Sequence, residues 1–176
     1  MLDFLKENDG VKSVKSILND ADGRVVGRTR LQKIGYLLSA CGLEDTFTFH
    51  YKHYGPFSRE LAEAVSFAEL AGIVTETSKE ASWGGNYSIF DLVGEATPST
   101  SVKSQLIQEA CSVNSVVLEL AATAAFLSAS NYPNPWSETK KRKPKKATDE
   151  RLRLARQFFD KISSLNTPLK LGCAKG

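Results

Sequence analysis

Apolar residues fall at helical spacing over residues 11–21, where Val11, Val14, Ile17 and Leu18 form one stripe before the DADG turn that ends at Gly23. A second stripe, Leu31, Ile34, Leu37, Leu38 and Cys41, predicts a helix capped by Thr29 and closed by Gly42. Residues 46–54, TFTFHYKHY, alternate instead. Phe47, Phe49, Tyr51 and His53 point one way and Thr48, His50, Lys52 and Tyr54 the other, which predicts a short half-buried strand. Gly55-Pro56 then turns the chain. Ser58 caps a third helix that buries Leu61, Ala64, Val65, Ala68 and Leu70 and ends at Gly72. Residues 73–77 (IVTET) and 86–90 (NYSIF), on either side of SKEASWGG, predict a β-hairpin with a Gly-rich tip.

After Pro98 the pattern changes. Residues 101–130 are Ala-rich, with Leu106, Ala110, Val113, Val117, Leu120 and Ala124 at heptad-like intervals, so one long helix or two in series is expected. NYPNPW stops it, because two prolines in three residues cannot continue a helix. A charged linker, SETKKRKPKKA, leads to a last amphipathic helix over residues 148–164, carrying Leu152, Leu154, Ala155, Phe158, Phe159 and Ile162. The expected class is α+β, mostly helical. Helix, helix, strand, helix, hairpin is the order of a winged helix-turn-helix. The expectation is a winged-helix-like N-terminal half (1–97) with a small β-hairpin wing, packed on a helical extension (98–176) in one compact unit.

Composition narrows the class. At 176 residues and 41% hydrophobic content there is enough apolar material for one core. No apolar run approaches the roughly 20 residues of a membrane span, and MLDFLKENDG lacks the basic start and apolar block of a secretory signal. Cys41, Cys111 and Cys173 are odd in number, widely spaced and never in a CxxC pair. A reducing, cytoplasmic setting is expected, with Cys41 and Cys111 as small core hydrophobes and Cys173 as an exposed thiol in the tail.

Charge changes the picture more. Residues 140–161 hold ten cations against three acids, a net of +7, which leaves −4 for the remainder of a chain whose total is +3. The helix opened by Ser58 sits where a recognition helix would, yet offers Arg59 alone against Glu60, Glu63 and Glu69, a net of −2. A helix entering a major groove brings Arg, Lys, Asn or Gln to base edges and phosphates; this one would repel them. Docking on protein is therefore the leading expectation, with Tyr54, Gly55, Pro56 and Phe57 at the corner and Trp83 and Trp136 as exposed aromatic anchors. The alternative is nucleic acid held by Lys140, Lys141, Arg142, Lys143, Lys145 and Lys146, gripping phosphates without a sequence code. One arrangement would favour nucleic acid outright: Arg28, Arg30, Lys33 and Arg59 gathered into a single positive face beside the hairpin.

Little else points to chemistry. His50 and His53, three apart on a strand, point to opposite faces and cannot share a metal. Ser58 serves as a cap rather than a nucleophile, Glu60 with Glu63 is an ordinary solvated pair, and WGGN has no helix start with Lys or Ser/Thr behind it. No catalytic residue, cofactor or metal is expected.

The stretch GRTRLQKIGYLL followed by FHYKHYGPFSRELAEAV resembles the YwgA-like and Panacea (SocA-like antitoxin) group of small prokaryotic proteins. Leu31, Gln32, Lys33, Tyr36 and Leu37 carry its "LQKLxYL" helix, and Tyr54, Gly55, Pro56, Phe57 and Ser58 its "YGP[YF]S" corner. The later LELAATAAFL and KKRKPKKATDERLRLARQFFDKI resemble the closing half of the same group, so the likeness spans most of residues 25–163. It implies a winged-helix-like core with added helices, no known catalytic residues, and partner binding: toxin neutralisation, delivery of a toxin to a protease, or a place among phage-defence genes.

Overall fold

The computed structural model describes residues 2–172; Cys173 lies outside the described residues. In order, the chain forms α1 (Leu2–Lys6), α2 (Asp9–Asp20), β1 (Arg24–Val26), α3 (Arg28–Ala40), β2 (His50–Lys52), β3 (Gly55–Phe57), α4 (Arg59–Leu70), β4 (Val74–Glu80), β5 (Asn86–Leu92), α5 (Val102–Ser112), α6 (Ser115–Ala129), α7 (Pro135–Arg142) and α8 (Asp149–Ser163). This is α+β and mostly helical, as the patterning implied. Two small antiparallel sheets accompany the helices, one ordered β1-β5-β4 and the other pairing β2 with β3.

Helix α6 explains how the halves join. It is apolar on every side, and residues from Val117 to Leu127 are buried almost without interruption, the pattern of a helix enclosed on all faces. It packs on α3, β3, α7 and α8, while α2 lies against α4 and α5. One core cluster runs from Val11 through Ile34 and Leu61 to Leu120, Phe158 and Ile162. Of the two arrangements expected over 101–130, one long helix or two in series, the chain takes the second, because Val113 leaves the helical region and the Asn114 side chain caps α6 by accepting from the Val116 N–H at 2.9 Å.

Several local expectations need correction: Leu70, expected on the buried side of α4, is 66% exposed, because the helix buries only the stripe of Leu61, Ala64, Val65 and Ala68. Helix α3 starts at Arg28 with Gly27 at its cap position (φ +99°) and no side-chain cap, so Thr29 lies inside the helix. Strand β1 had no signature of its own: three residues exist as a strand because Val25 pairs with Phe90. The Gly55-Pro56 corner is a strand and not a turn. The turn is His53-Tyr54, after which Gly55 pairs with Lys52 and Phe57 with His50. His53 accordingly leaves the inward row and is exposed, whereas Phe47, Phe49 and Tyr51 still face the protein. The stretch taken as a charged linker is largely structured: α7 occupies 135–142, and Lys146 and Ala147 donate back to the Lys143 carbonyl in the turn that follows.

Candidate functional site

The residues that carry the two sequence motifs hold each other. Gln32 on α3 clamps Ser58 from both sides, its amide donating to the Ser58 carbonyl at 2.9 Å and its oxygen accepting the Ser58 N–H at 2.8 Å. Ser58 in turn caps α4 by accepting from the Leu61 N–H at 3.2 Å. The next residue on α3, Lys33, is buried and donates to the Pro56 carbonyl at 2.7 Å. Tyr36 meets Phe49 edge-on at 5.6 Å and Phe126 at 5.7 Å. Gly55 adopts φ +84°, and a Cβ there would come within 2.7 Å of Thr123 Oγ1, so only glycine lets strand β3 lie this close to α6. Leu31 to Leu37 and Tyr54 to Ser58 are thus the two halves of one clasp.

Beneath the clasp sits a carboxylate that sequence reading passed over. Glu119 on α6 is 2% exposed. Its Oε1 lies 2.7 Å from Lys143 Nζ, and Lys146 Nζ donates to Oε1 and Oε2 at 3.0 and 2.8 Å. Lys143 also donates to the His53 carbonyl at 2.9 Å, which ties the β2–β3 turn to the end of α7. Two ammonium groups, those of Lys143 and Lys146, therefore share one buried acid, and Lys33 feels the charge of all three. Burial pulls the Lys33 pKa down to about 7, with Lys143 and Lys146 pushing the same way and Glu119 opposing. The signal was present in the sequence: one charge inside LELAATAAFL, a helix apolar all round, requires a partner.

On the outside of this cluster, rings and cations interleave. The Lys146 ammonium lies 4.8 Å from the Tyr54 ring centre, and Lys52 4.7 Å from that of Phe57. The Arg142 guanidinium is held between Tyr51 (4.8 Å) and Tyr132 (5.1 Å), and bonds both the Tyr132 hydroxyl and Glu138. Lys140 pairs with Asp149 at 2.9 Å, and Lys141 and Lys145 are exposed. The two sites that the sequence offered as rivals, Tyr54 to Phe57 and the run 140–146, are thus one continuous surface.

Some of their members do not belong to it. Gly55, Pro56 and Lys143 are buried. Trp136, expected as an exposed anchor, is 3% exposed: Pro135 starts α7 instead of prolonging a loop, and the ring packs edge-on against Phe159 at 5.6 Å with Arg156 over its face. Trp83 stands elsewhere, 77% exposed at the tip of β4–β5, on the lip of a groove of about 730 Å³ that Arg28, Tyr87 and Ser115 also line.

No protein-family model, curated protein or solved structure matches this chain.

The four cations whose convergence would favour nucleic acid near the hairpin β4–β5 do not converge. Arg28 pairs with Glu76 at 2.6 Å. Arg30 is spent on the carbonyls at the end of α5, those of Ala110 and Val113 at 2.7 and 2.8 Å, where the helix offers them no backbone partner. Lys33 is inside the clasp, and Arg59 faces Glu63 on its own helix at 3.3 Å. His50 and His53 are both exposed, and no group of three or more potential metal ligands occurs among the described residues. Cys41 is buried, with burial pushing its thiol pKa up to about 11, and Cys111 is half-buried.

Proposed function

We propose that this chain is a non-enzymatic protein-binding module of winged-helix-like build, acting as an antitoxin or as an accessory subunit of a prokaryotic toxin–antitoxin or phage-defence system. The order α2, α3, α4 and hairpin β4–β5, with β1 completing the sheet, supports the winged-helix reading, and α4 occupies the place of the recognition helix. One observation carries the functional reading. Helix α4 has one cation against three glutamates, and that cation is already engaged by Glu63. A phosphate backbone would meet net negative charge there, while a protein partner would meet Leu70 (66% exposed), Phe67 and, at the hairpin tip, Trp83.

The test is co-expression with the products of the flanking genes. One of them should co-purify with the wild-type chain at about 150 mM salt, and Trp83→Ala with Leu70→Glu should reduce its recovery at least ten-fold, the loss of one anchor's contribution. Recovery of nothing but duplex nucleic acid, or full recovery by the double variant, would overturn the reading.

A further inference from the structure

We propose that the face made by hairpin β2–β3, helix α7 and the turn that follows it binds single-stranded nucleic acid. Tyr54 is its stacking platform, and Lys52, Lys140, Lys141 and Lys145 hold the phosphates. This goes beyond the protein-docking role assigned to α4 and the β4–β5 hairpin, and uses other residues.

Charge is the first ground. On this face Lys52, Lys140, Lys141, Arg142 and Lys145 stand against Glu138 and Asp149, a net of +3. Asp149 is engaged in an exposed ion pair, which exchanges readily for a phosphate partner because such pairs are worth little in water, whereas Glu138 stays with Arg142. Lys143 and Lys146 turn inward to Glu119.

The second ground is how the cations are placed. Energetically significant cation–π contacts occur roughly once per 70–80 residues; here Lys52, Arg142 and Lys146 alone make four with Phe57, Tyr51, Tyr132 and Tyr54. Alternating rings and cations along one surface is what a strand with splayed bases requires, the rings taking base faces and the cations the backbone between them. Tyr54 is 61% exposed although Lys146 covers one side of its ring. Tyr132 is also exposed, beside Arg142.

Rigidity is the third. The platform is not a loop free to collapse. Its turn is anchored by the Lys143 bond to the His53 carbonyl, and Lys146 is fixed by both oxygens of Glu119. A duplex hides its base faces and would leave Tyr54 unused, and α7 is too short and too flanked by hairpin to enter a groove. An acidic protein segment would satisfy the lysines but not the rings.

The experiment is fluorescence anisotropy on the full chain with a labelled mixed-sequence 20-nucleotide single strand, a duplex of the same sequence, and polyglutamate as competitor. Binding of the single strand is expected at 50 mM salt. About four phosphate contacts would give a log–log salt slope near −3, a loss of roughly 50-fold by 200 mM. Tyr54→Ala should weaken binding about ten-fold or more without altering the slope, and Tyr54→Phe should restore it. Joint Lys141→Gln and Lys145→Gln should make the slope shallower by about 1.4. No binding at 50 mM, a duplex bound as tightly with Tyr54→Ala neutral, or displacement by polyglutamate at equal charge would each overturn the proposal. The titration needs no protein partner, so its failure is distinguishable from failure of the docking role.

Discussion

Two regions of this molecule carry cations, and the fold treats them in opposite ways. Around α4 and the β4–β5 hairpin, Arg28, Arg30 and Arg59 are spent one by one on Glu76, on helix-end carbonyls and on Glu63, so the surface left over is acidic. Around α7, the dense run 140–146 is divided: Lys143 and Lys146 turn in toward Glu119, and Lys140, Lys141, Arg142 and Lys145 remain outside among tyrosines. Formal charge along a sequence is therefore a poor guide to charge on a surface. What decides is which cations find an internal anion.

That contrast can be broken most forcefully at Glu119. Glu119→Ala leaves Lys143 and Lys146 near one another without their acid, and removing one partner of a buried pair costs about 3–5 kcal/mol. The melting temperature should fall by roughly 6–20 °C in calorimetry for a chain of this size. A second Lys143→Met change should recover part of the loss.

Next in size is Gly55→Ala. It forces a side chain into φ +84° and against Thr123 Oγ1, and should cost about 1–3 kcal/mol in denaturant unfolding. Thr123→Ala in the same chain should relieve the steric share, so the double-mutant cycle returns a favourable coupling.

The pH dependence comes third. Lys33 has a folded pKa of about 7 against an ordinary 10.5, so between those values the unfolded chain binds more protons and stability rises with pH. The slope from this one group is at most about 1.4 kcal/mol per pH unit. Cys41, raised from 9 to about 11, acts in the opposite sense, since the folded state keeps its proton and stability falls as pH rises from 9 to 11. The rise is therefore cleanest from pH 7 to 9, and Lys33→Met should abolish it in unfolding curves taken across that range. Smallest of all, Arg59→Ala breaks an exposed pair and should shift stability by less than about 0.5 kcal/mol.

Much of the fold was legible because helices announce themselves locally. Residues of α2, α3, α4 and α8 repeat at 3.6, and Ser58 caps where its side chain suggested. What stayed hidden depends on partners distant in the chain. Strand β1 is three residues long and exists through β5, 67 positions from Arg24 to Asp91. Gly55-Pro56 reads as a turn until Thr123 and Lys33 are seen on its two sides. The basic run reads as a linker because Pro144 and like charges resist ordering, and the acid that orders it lies 24 and 27 positions earlier, at Glu119. Trp136 was misread for the same reason, its cover being Phe159 and Arg156 from the following helix. The candidate surface was present in the sequence as two fragments; only the fold joins them.

The most direct measurement is amide hydrogen exchange across residues 139–147, in the wild-type chain and in Glu119→Gln. If the basic run is folded onto the β2–β3 hairpin by Glu119, the Lys143, Lys146 and Ala147 amides, which bond the carbonyls of Thr139 and Lys143, exchange slowly in the wild type and lose most of that protection in the variant. Exchange at the rate of an unstructured chain in the wild type would contradict the account.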